Sequence, residues 1–514
     1  MDKIFEKKII NSYLNWITDL LFLFIAIGIF YMAWLGSHPL MVPDEGRYAD
    51  IGRAMLISGD YITPCLNGVT YLDKPILHYW LQASAMKLLG INEWAIRAWP
   101  ALLGVLGCLL TYSAGRLLYN RRTGILAAAM LATSPLYFCM SHYANLDLEV
   151  GVFISGALLA FIVWARDPTL KYRTAYILSA YGFTGLAILT KGLIGLAFPA
   201  MIIGCWIFFL NRWKTLLQMR LISGILIMAF IVLPWCILSQ LKDSSFFQHF
   251  FIDEQIYRFL TKNFNNQQPV WFYFPVVLIG LFPWLVWLLQ AVTHATKAVN
   301  LSKQKHDTEL FLLLWPLLIF IFFTIPQSKT IGYMIPLIPP LVLLIARYLD
   351  KIAGAQNKVS KIFCYLLVII TVAELTFIAI APALKLRSSK SFAIVIKQIG
   401  KPDDQVVGYY RYYYDLPVYL NRQISVVENW DNPAVVTDDN WRREISNKMH
   451  APSARQWLIT ENIFWKQWHS QQRMFVVLEK NDLQQFLSRA NHRFYFITEY
   501  QDTYLLTNRP YAKN

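Results

Sequence analysis

The chain has 514 residues, 56% of them hydrophobic and 15% aromatic, with a mean hydropathy of +0.38. Charged residues make up only 15%, well below the roughly 25% usual for soluble domains, and repeated apolar runs of about 17–25 residues exclude a string of soluble domains in favour of a polytopic membrane protein. The net charge of +15 does not signal nucleic-acid binding. Most Lys and Arg lie in short loops between apolar runs, as the positive-inside rule expects, and no nucleic-acid-binding motif accompanies them.

The N-terminus, Met1 to Lys8, is charged and precedes a long apolar run with no small-residue cleavage site after it, so a retained signal anchor is expected. Eleven spans are predicted, near 18–36, 95–118, 125–140, 149–165, 175–189, 192–211, 221–240, 271–293, 309–325, 331–347 and 361–384, with room for two more short or re-entrant segments. Alternate loops are basic. They carry Lys3, Lys7 and Lys8, then Arg121 and Arg122, then Arg166, Lys171 and Arg173. Arg212, Lys214 and Arg220 follow, then Lys297, Lys303 and Lys305, and finally Arg347, Lys351, Lys358 and Lys361. These loops are expected in the cytoplasm. The other set comprises residues 37–94, 141–148, 190–191, 241–270, 326–330 and everything after about 385, and is expected outside it.

Within 37–94 two amphipathic helices are predicted. One runs from Asp44 to about Ser58, stopped by Gly59-Asp60, and the other follows Pro75 and ends near Gly90. Helices of this kind tend to lie in the membrane–water interface. Beyond 385 the composition changes. β-like runs appear at Gln405–Tyr414, Met474–Leu478, His492–Thr498 and Thr503–Thr507, with a helical pattern near Asp482–Ala490. This segment, 385–514, reads as a small α/β domain of about 130 residues, beside a membrane domain covering 1–384. The six cysteines, Cys65, Cys108, Cys139, Cys205, Cys236 and Cys364, have no metal-type spacing and mostly sit in or beside apolar runs, as small hydrophobic fillers would.

The unusual charges all fall in the outer set. The acids are Asp44, Glu45, Asp73, Asp147 and Glu149, with Asp253 and Glu254 further on. The cations near apolar boundaries are Arg47, Lys74, Lys191, Arg258 and Lys329. Each has an ordinary reading. Asp44 and Glu45 follow a proline in a first helical turn, where acids favour the macrodipole by about 0.3–1 kcal/mol. Asp73-Lys74 could be a surface ion pair, Asp147 a helix cap, and Lys191 or Lys329 a snorkelling side chain. Taken together, cations that run against the positive-inside bias need compensation, which a bound phosphate or pyrophosphate supplies.

Val42-Pro43-Asp44-Glu45-Gly46-Arg47-Tyr48-Ala49, Ser58-Gly59-Asp60, Asn67-Gly68 and Tyr71-Leu72-Asp73-Lys74-Pro75 resemble the first periplasmic loop of the aminoarabinose transferase family. That family is similar to the protein O-mannosyltransferases and belongs to the GT-C glycosyltransferases. The resemblance continues through Ala144-Asn145-Leu146-Asp147, Thr190-Lys191-Gly192 and Ser328-Lys329 with Tyr333, over roughly residues 15–350. It implies a mainly helical GT-C membrane fold of about 11–13 transmembrane helices with a small C-terminal α/β domain. It also implies an inner-membrane enzyme that moves 4-amino-4-deoxy-L-arabinose from an undecaprenyl-phosphate carrier to a lipid A phosphate at the periplasmic face, masking negative charge against cationic peptides such as polymyxin.

By the same resemblance Asp44 and Asp147 are the catalytic acids. Tyr71, Lys74, Arg258, Lys329 and Tyr333 hold the carrier phosphate, with Glu45, Arg47, Asp73 and Lys191 in support. No organic cofactor is implied, while a divalent metal is left open. Asp73 stands where the family often has Glu, Gln255 stands where a His often follows Glu, and the C-terminal region is short. The absence of Walker-type and Rossmann glycine motifs fits a donor without a nucleotide. Rival readings are a polyprenyl-phosphate-dependent protein O-glycosyltransferase, a membrane transporter and an envelope scaffold. The transporter predicts charges at span centres and inverted repeats, and the sequence shows neither.

Overall fold

The computed structural model describes residues 2–257, 266–353, 357–432, 435, 440–446 and 456–511. Among them, seven helices are long and apolar enough to cross a membrane: Asn15–Met32, Glu93–Leu118, Leu146–Arg166, Leu221–Lys242, Asp307–Thr324, Ile331–Ile352 and Lys358–Ala383. Two bent pairs raise this number to nine. Arg121–Ala132 with Pro135–Ser141 turns by 65°, and Val270–Gly280 with Trp284–Leu301 by 101°. Both breaks fall at prolines, Pro135 and Pro283, whose rings cannot continue the preceding helix. The two remaining expected spans are the helices Arg173–Lys191 and Ile194–Leu210. Every predicted span is therefore helical, two of them as broken helices.

The chain divides into two compact units, one of residues 1–35, 97–237 and 266–381, the other of 36–96, 238–265 and 382–514. The first unit is built around Leu146–Arg166, every residue of which from Leu146 to Trp164 is buried. A helix apolar on all faces needs neighbours on all sides. Arg173–Lys191, Ile194–Leu210, Asp307–Thr324 and the 3-10 turn Ile331–Leu337 supply them. Close approach depends on glycines. A Cβ on Gly156 would lie 3.0 Å from the Phe183 ring, and one on Gly151 2.7 Å from Ile335. At the basic end of the unit, buried Asp19 accepts from Tyr112 (2.6 Å), Arg116 (2.9 Å) and Arg121 (2.6 Å). This ties the first helix to the next two.

In the second unit the helices Asp44–Ser58 and Leu77–Leu89 pack together. The first ends as predicted, with Gly59 at φ 72° donating its N–H to the Met55 carbonyl. Between them lies a hairpin not anticipated from sequence, β1 (Cys65–Leu66) and β2 (Val69–Thr70), turned by Asn67 at φ 48° and Gly68 at φ 83°. Asn67 is fully buried. Its amide exchanges two hydrogen bonds with the backbone of Ile424, at 2.9 and 3.0 Å.

Ile424 leads into β4 (Ser425–Val427) of a six-stranded sheet. Its other strands are β3 (Gln405–Tyr409), β5 (Leu458–Ile459), β6 (Met474–Glu479), β7 (Tyr495–Tyr500) and β8 (Thr503–Thr507), in the order β5-β4-β3-β6-β8-β7. The first four are parallel, and β8 and β7 close the far edge as an antiparallel hairpin. Strands were expected at β3, β6, β7 and β8, and the helix expected near Asp482–Ala490 runs over Lys480–Arg489. The short β4 and β5 were not. Val407, Tyr409, Val476, Leu478, Phe464, Trp468 and Phe486 form the core of this sheet.

Candidate functional site

The expected site residues fall into two clusters, one in each unit. In the second unit, Pro43 sits at the N-cap of Asp44–Ser58, placing both acids in the first turn. Their uses differ. Glu45 is fully buried and its Oε2 accepts the Met41 N–H at 2.8 Å, so it closes the helix entry much as the Glu of a capping box does. The Asp44 side chain is 31% exposed, and its Oδ1 accepts from Arg47 at 3.1 Å.

Arg47 in turn binds the Glu444 carboxylate through two nitrogens, both at 3.0 Å, and lies 5.0 Å from the Tyr414 ring centre. Tyr414 donates its hydroxyl to the same carboxylate at 2.6 Å. Burial works against the Arg47 charge, but Glu444 and the surrounding tyrosines outweigh it and hold the guanidinium well above its ordinary range. Gly46 lets this turn approach the Tyr414–Asp415 backbone, since a Cβ there would sit 2.8 Å from Asp415 N.

The end of the first loop belongs to the same cluster. Tyr71 is buried, which together with the nearby Asp73 keeps its phenol protonated far above the usual range. Lys74 Nζ donates to the Asp73 carbonyl at 3.2 Å, and the Asp73 carboxylate receives His249 Nε2 at 3.2 Å. Asp60 is held down to about 2. Burial alone would raise it, but the Lys242 ammonium at 2.8 Å and the N–H groups of Ile62 and Thr63 prevail. Arg258 lies outside the described residues, as do the side chains of Asp253 and Glu254.

In the first unit, Asn145 caps the helix Leu146–Arg166 by accepting the Asp147 N–H at 2.8 Å, which sets Asp147 in the first turn. Lys191 ends the helix Arg173–Lys191, and its ammonium pairs with Asp147 Oδ1. The same ammonium lies 4.3 Å from the ring centre of Tyr333, which stacks on Phe323 at 4.5 Å. These groups line a narrow groove whose other walls include Val150, Ile154, Phe198 and Pro336. The result is a polar corner at the end of an apolar trough.

Lys329 is placed differently. It is buried, with its ammonium donating to the carbonyls of Gln268 (3.2 Å) and Pro326, and burial lowers its proton affinity. Its backbone N–H reaches the Asn266 carbonyl at 3.1 Å, so it clamps its own loop. Gln268 N–H on the Gln327 carbonyl at 3.0 Å extends that clamp. Among the described residues no group of three or more His, Cys, Asp or Glu side chains could hold a metal ion. Sequence reasoning missed Glu444, Tyr414, His249 and Gly332. Only His249 carried a visible signal, a polar pair enclosed by Phe246-Phe247 and Phe250-Phe251.

Residues 16–250 match the family of dolichyl-phosphate-mannose-protein mannosyltransferases. The undecaprenyl phosphate-α-4-amino-4-deoxy-L-arabinose arabinosyl transferase of Edwardsiella ictaluri is 32% identical over 339 residues, 65% of this chain and 60% of that one. The like-named protein of Aeromonas salmonicida is 30% identical over 377 residues, 72% of this chain and 66% of its own. The chain thus spans less than two thirds of the length of these relatives. Among solved structures, ArnT from Cupriavidus metallidurans bound to undecaprenyl phosphate superposes with a TM-score of 0.81 at 23% identity, over 96% of this chain and 98% of that one. The archaeal oligosaccharyltransferase AglB from Archaeoglobus fulgidus follows at 0.55 and 13%, over 96% and 74%. These likenesses place the fold.

Proposed function

We propose that this chain, a homologue of the undecaprenyl-phosphate aminoarabinose transferases with which it shares about a third of its aligned residues, moves 4-amino-4-deoxy-L-arabinose from an undecaprenyl-phosphate carrier to a lipid A phosphate. The reaction takes place at the outer face of a bacterial inner membrane. The observation that carries this reading is the Asp147–Lys191–Tyr333 corner at the end of an apolar groove. A polyprenyl phosphate has the matching form, an anionic head on an apolar chain.

In the transfer an acceptor phosphate oxygen forms a bond to the anomeric carbon as the bond from that carbon to the carrier phosphate breaks. The bonding electrons leave with the carrier phosphate. Lys191 is assigned to the charge that develops there, since a fixed cation aimed at a leaving group lowers the barrier electrostatically, and the family resemblance implies the same role for Lys74. An acceptor phosphate is already an anion at neutral pH, so a general base is not required. Asp44, oriented by Arg47, is assigned to the cationic side of the sugar, its ammonium group or the oxocarbenium character that grows during cleavage. Tyr71 supports Lys74, Tyr333 supports Lys191, and Lys329 and Glu45 hold their own backbones.

Expression in a polymyxin-sensitive bacterium lacking its own transferase, followed by lipid A mass spectrometry, tests this reading. One aminopentose per modified phosphate is the expected result. Unmodified lipid A with a glycosylated surface protein instead would move the chain to the protein O-glycosyltransferases.

A further inference from the structure

The six-stranded sheet reverses its order between β3 and β6. From β3 the chain runs outward to β4 and then β5, and afterwards crosses back to β6 on the other side of β3. These four strands are parallel. In open α/β sheets a crevice lies at such a reversal, beyond the carboxyl ends of the two strands, and ligands bind there.

The residues that follow β3 and β6 meet at that edge. Tyr410, directly after β3, is held at φ 53°, a left-handed conformation that strains a bulky residue. Its N–H continues the ladder to the Val427 carbonyl at 3.1 Å. The chain then folds back over β3, where a Cβ on Gly408 would collide with the Arg411 carbonyl oxygen. The Arg411 guanidinium pairs with Glu479, the last residue of β6, and so bridges the reversal. Just past β4, Glu428 pairs with Arg442.

Two groups at this edge have unused bonding capacity. Asp482, in the first turn of the helix Lys480–Arg489, has neither a hydrogen bond nor an ion pair among the described residues. Burial, reinforced by Glu479 and Glu428, raises the proton affinity of its carboxyl, and Arg411 and Arg442 oppose this. The Tyr413 hydroxyl is buried and makes no hydrogen bond. It stands near Arg411, Glu479 and Asp482, with its ring over Gly408. Buried polar groups are nearly always satisfied, so a hydroxyl and a carboxyl left over beside this crevice mark a place for a ligand.

Charge decides the class of that ligand. The edge holds three carboxylates, Glu428, Glu479 and Asp482, against two guanidiniums that are already paired. An anion such as phosphate is repelled, and an ammonium is drawn to Asp482. Carboxylate and guanidinium are both two-pronged hydrogen-bonding groups, suited to neighbouring hydroxyls.

We propose that the crevice between β3 and β6 binds a saccharide bearing an ammonium group, with the ammonium on Asp482 and sugar hydroxyls on Tyr413, Arg411 and Glu479. This goes beyond the transferase reading and does not depend on it.

The test is calorimetric titration of the full-length protein in detergent with D-glucosamine. N-acetyl-D-glucosamine, which lacks the charge, and D-glucose serve as comparison sugars. Wild type should bind glucosamine about tenfold more tightly than either, the scale of one charge-assisted hydrogen bond. Asp482→Asn should erase that preference, and Asp482→Glu, which keeps the carboxylate, should restore most of it. Asp44→Asn should leave the preference in place, since the catalytic acid is not part of this crevice. No measurable binding of glucosamine, or equal affinity for the three sugars, overturns the proposal. So does a preference unmoved by Asp482→Asn, or one abolished by Asp44→Asn. A wild-type protein that transfers no sugar to lipid A overturns the transferase reading and leaves this one standing.

Discussion

Gly332 presents bare backbone to the Asp147 carboxylate. A Cβ at residue 332 would sit 2.6 Å from Asp147 Cγ, in space the carboxylate already fills. The 3-10 turn Ile331–Leu337 and the helix Leu146–Arg166 can therefore meet at this point only if one of them lacks a side chain. The absent methyl group keeps Asp147 within reach of Lys191.

Gly332→Ala should displace that carboxylate and with it the Lys191 ammonium. Overpacking of this kind costs about 1–3 kcal/mol of stability. The expected result is a small fall in detergent melting temperature and a loss of transfer of about tenfold or more, as misplaced catalytic groups give. An unchanged kcat/KM in the alanine variant would show that the Asp147–Lys191 pair does not depend on this contact.

Arg47 and Glu444 lie 397 residues apart in sequence and share two hydrogen bonds in a setting where the side chains are 13% and 17% exposed. Removing one partner leaves the other charge part-buried with its weaker contacts, Asp44 for Arg47 and the Tyr414 hydroxyl for Glu444. Arg47→Met or Glu444→Gln alone should each destabilise the second unit by about 3 kcal/mol, as broken buried pairs do. The double variant should cost clearly less than the sum of the two. Additive losses in thermal melts would mean that the two side chains do not act as a pair.

Asp60 supplies the pH dependence. Its carboxyl is held at about 2 in the folded protein against an ordinary 3.8, so it favours the folded state above the ordinary value and loses that contribution as pH falls through about 2. Because Lys242 and Asp60 are 44% and 36% exposed, solvent screening limits the effect to under about 1 kcal/mol. Asp60→Asn should lower the melting temperature slightly at neutral pH in low salt, and the gap should shrink between pH 4 and 2. A gap that widens toward low pH would contradict the Lys242 pairing.

Much of this arrangement was legible in the sequence, for physical reasons that differ by region. The spans were readable because crossing a bilayer takes a long apolar run, and all eleven are helices or broken helices. The breaks at Pro135 and Pro283 were equally visible, yet 125–140 and 271–293 read as single spans because hydropathy does not register direction. The helix Asp44–Ser58 was legible at both ends, from Pro43 and from Gly59. The hairpin at Asn67-Gly68 was missed because its strands are two residues long and show no alternation. The division of labour between Asp44 and Glu45 was also out of reach. It depends on Arg47, which is fixed by Glu444, and nothing local in the chain links those two. Lys329 looked like a phosphate ligand because it breaks the positive-inside rule, and its ammonium meets the carbonyls of Gln268 and Pro326.

The central claim is transfer from a polyprenyl-phosphate carrier by a protein whose cations hold the leaving phosphate. Purified protein incubated with undecaprenyl-phosphate-linked aminoarabinose and lipid A tests it directly, with Asp44→Asn, Lys74→Ala and Lys191→Ala run beside wild type. The account predicts a lipid A mass gain of one aminopentose for wild type, and turnover reduced by about a hundredfold or more in each correctly folded variant, the scale of a lost electrostatic contact at a developing charge. Wild-type turnover retained in Lys74→Ala and Asp44→Asn would contradict it.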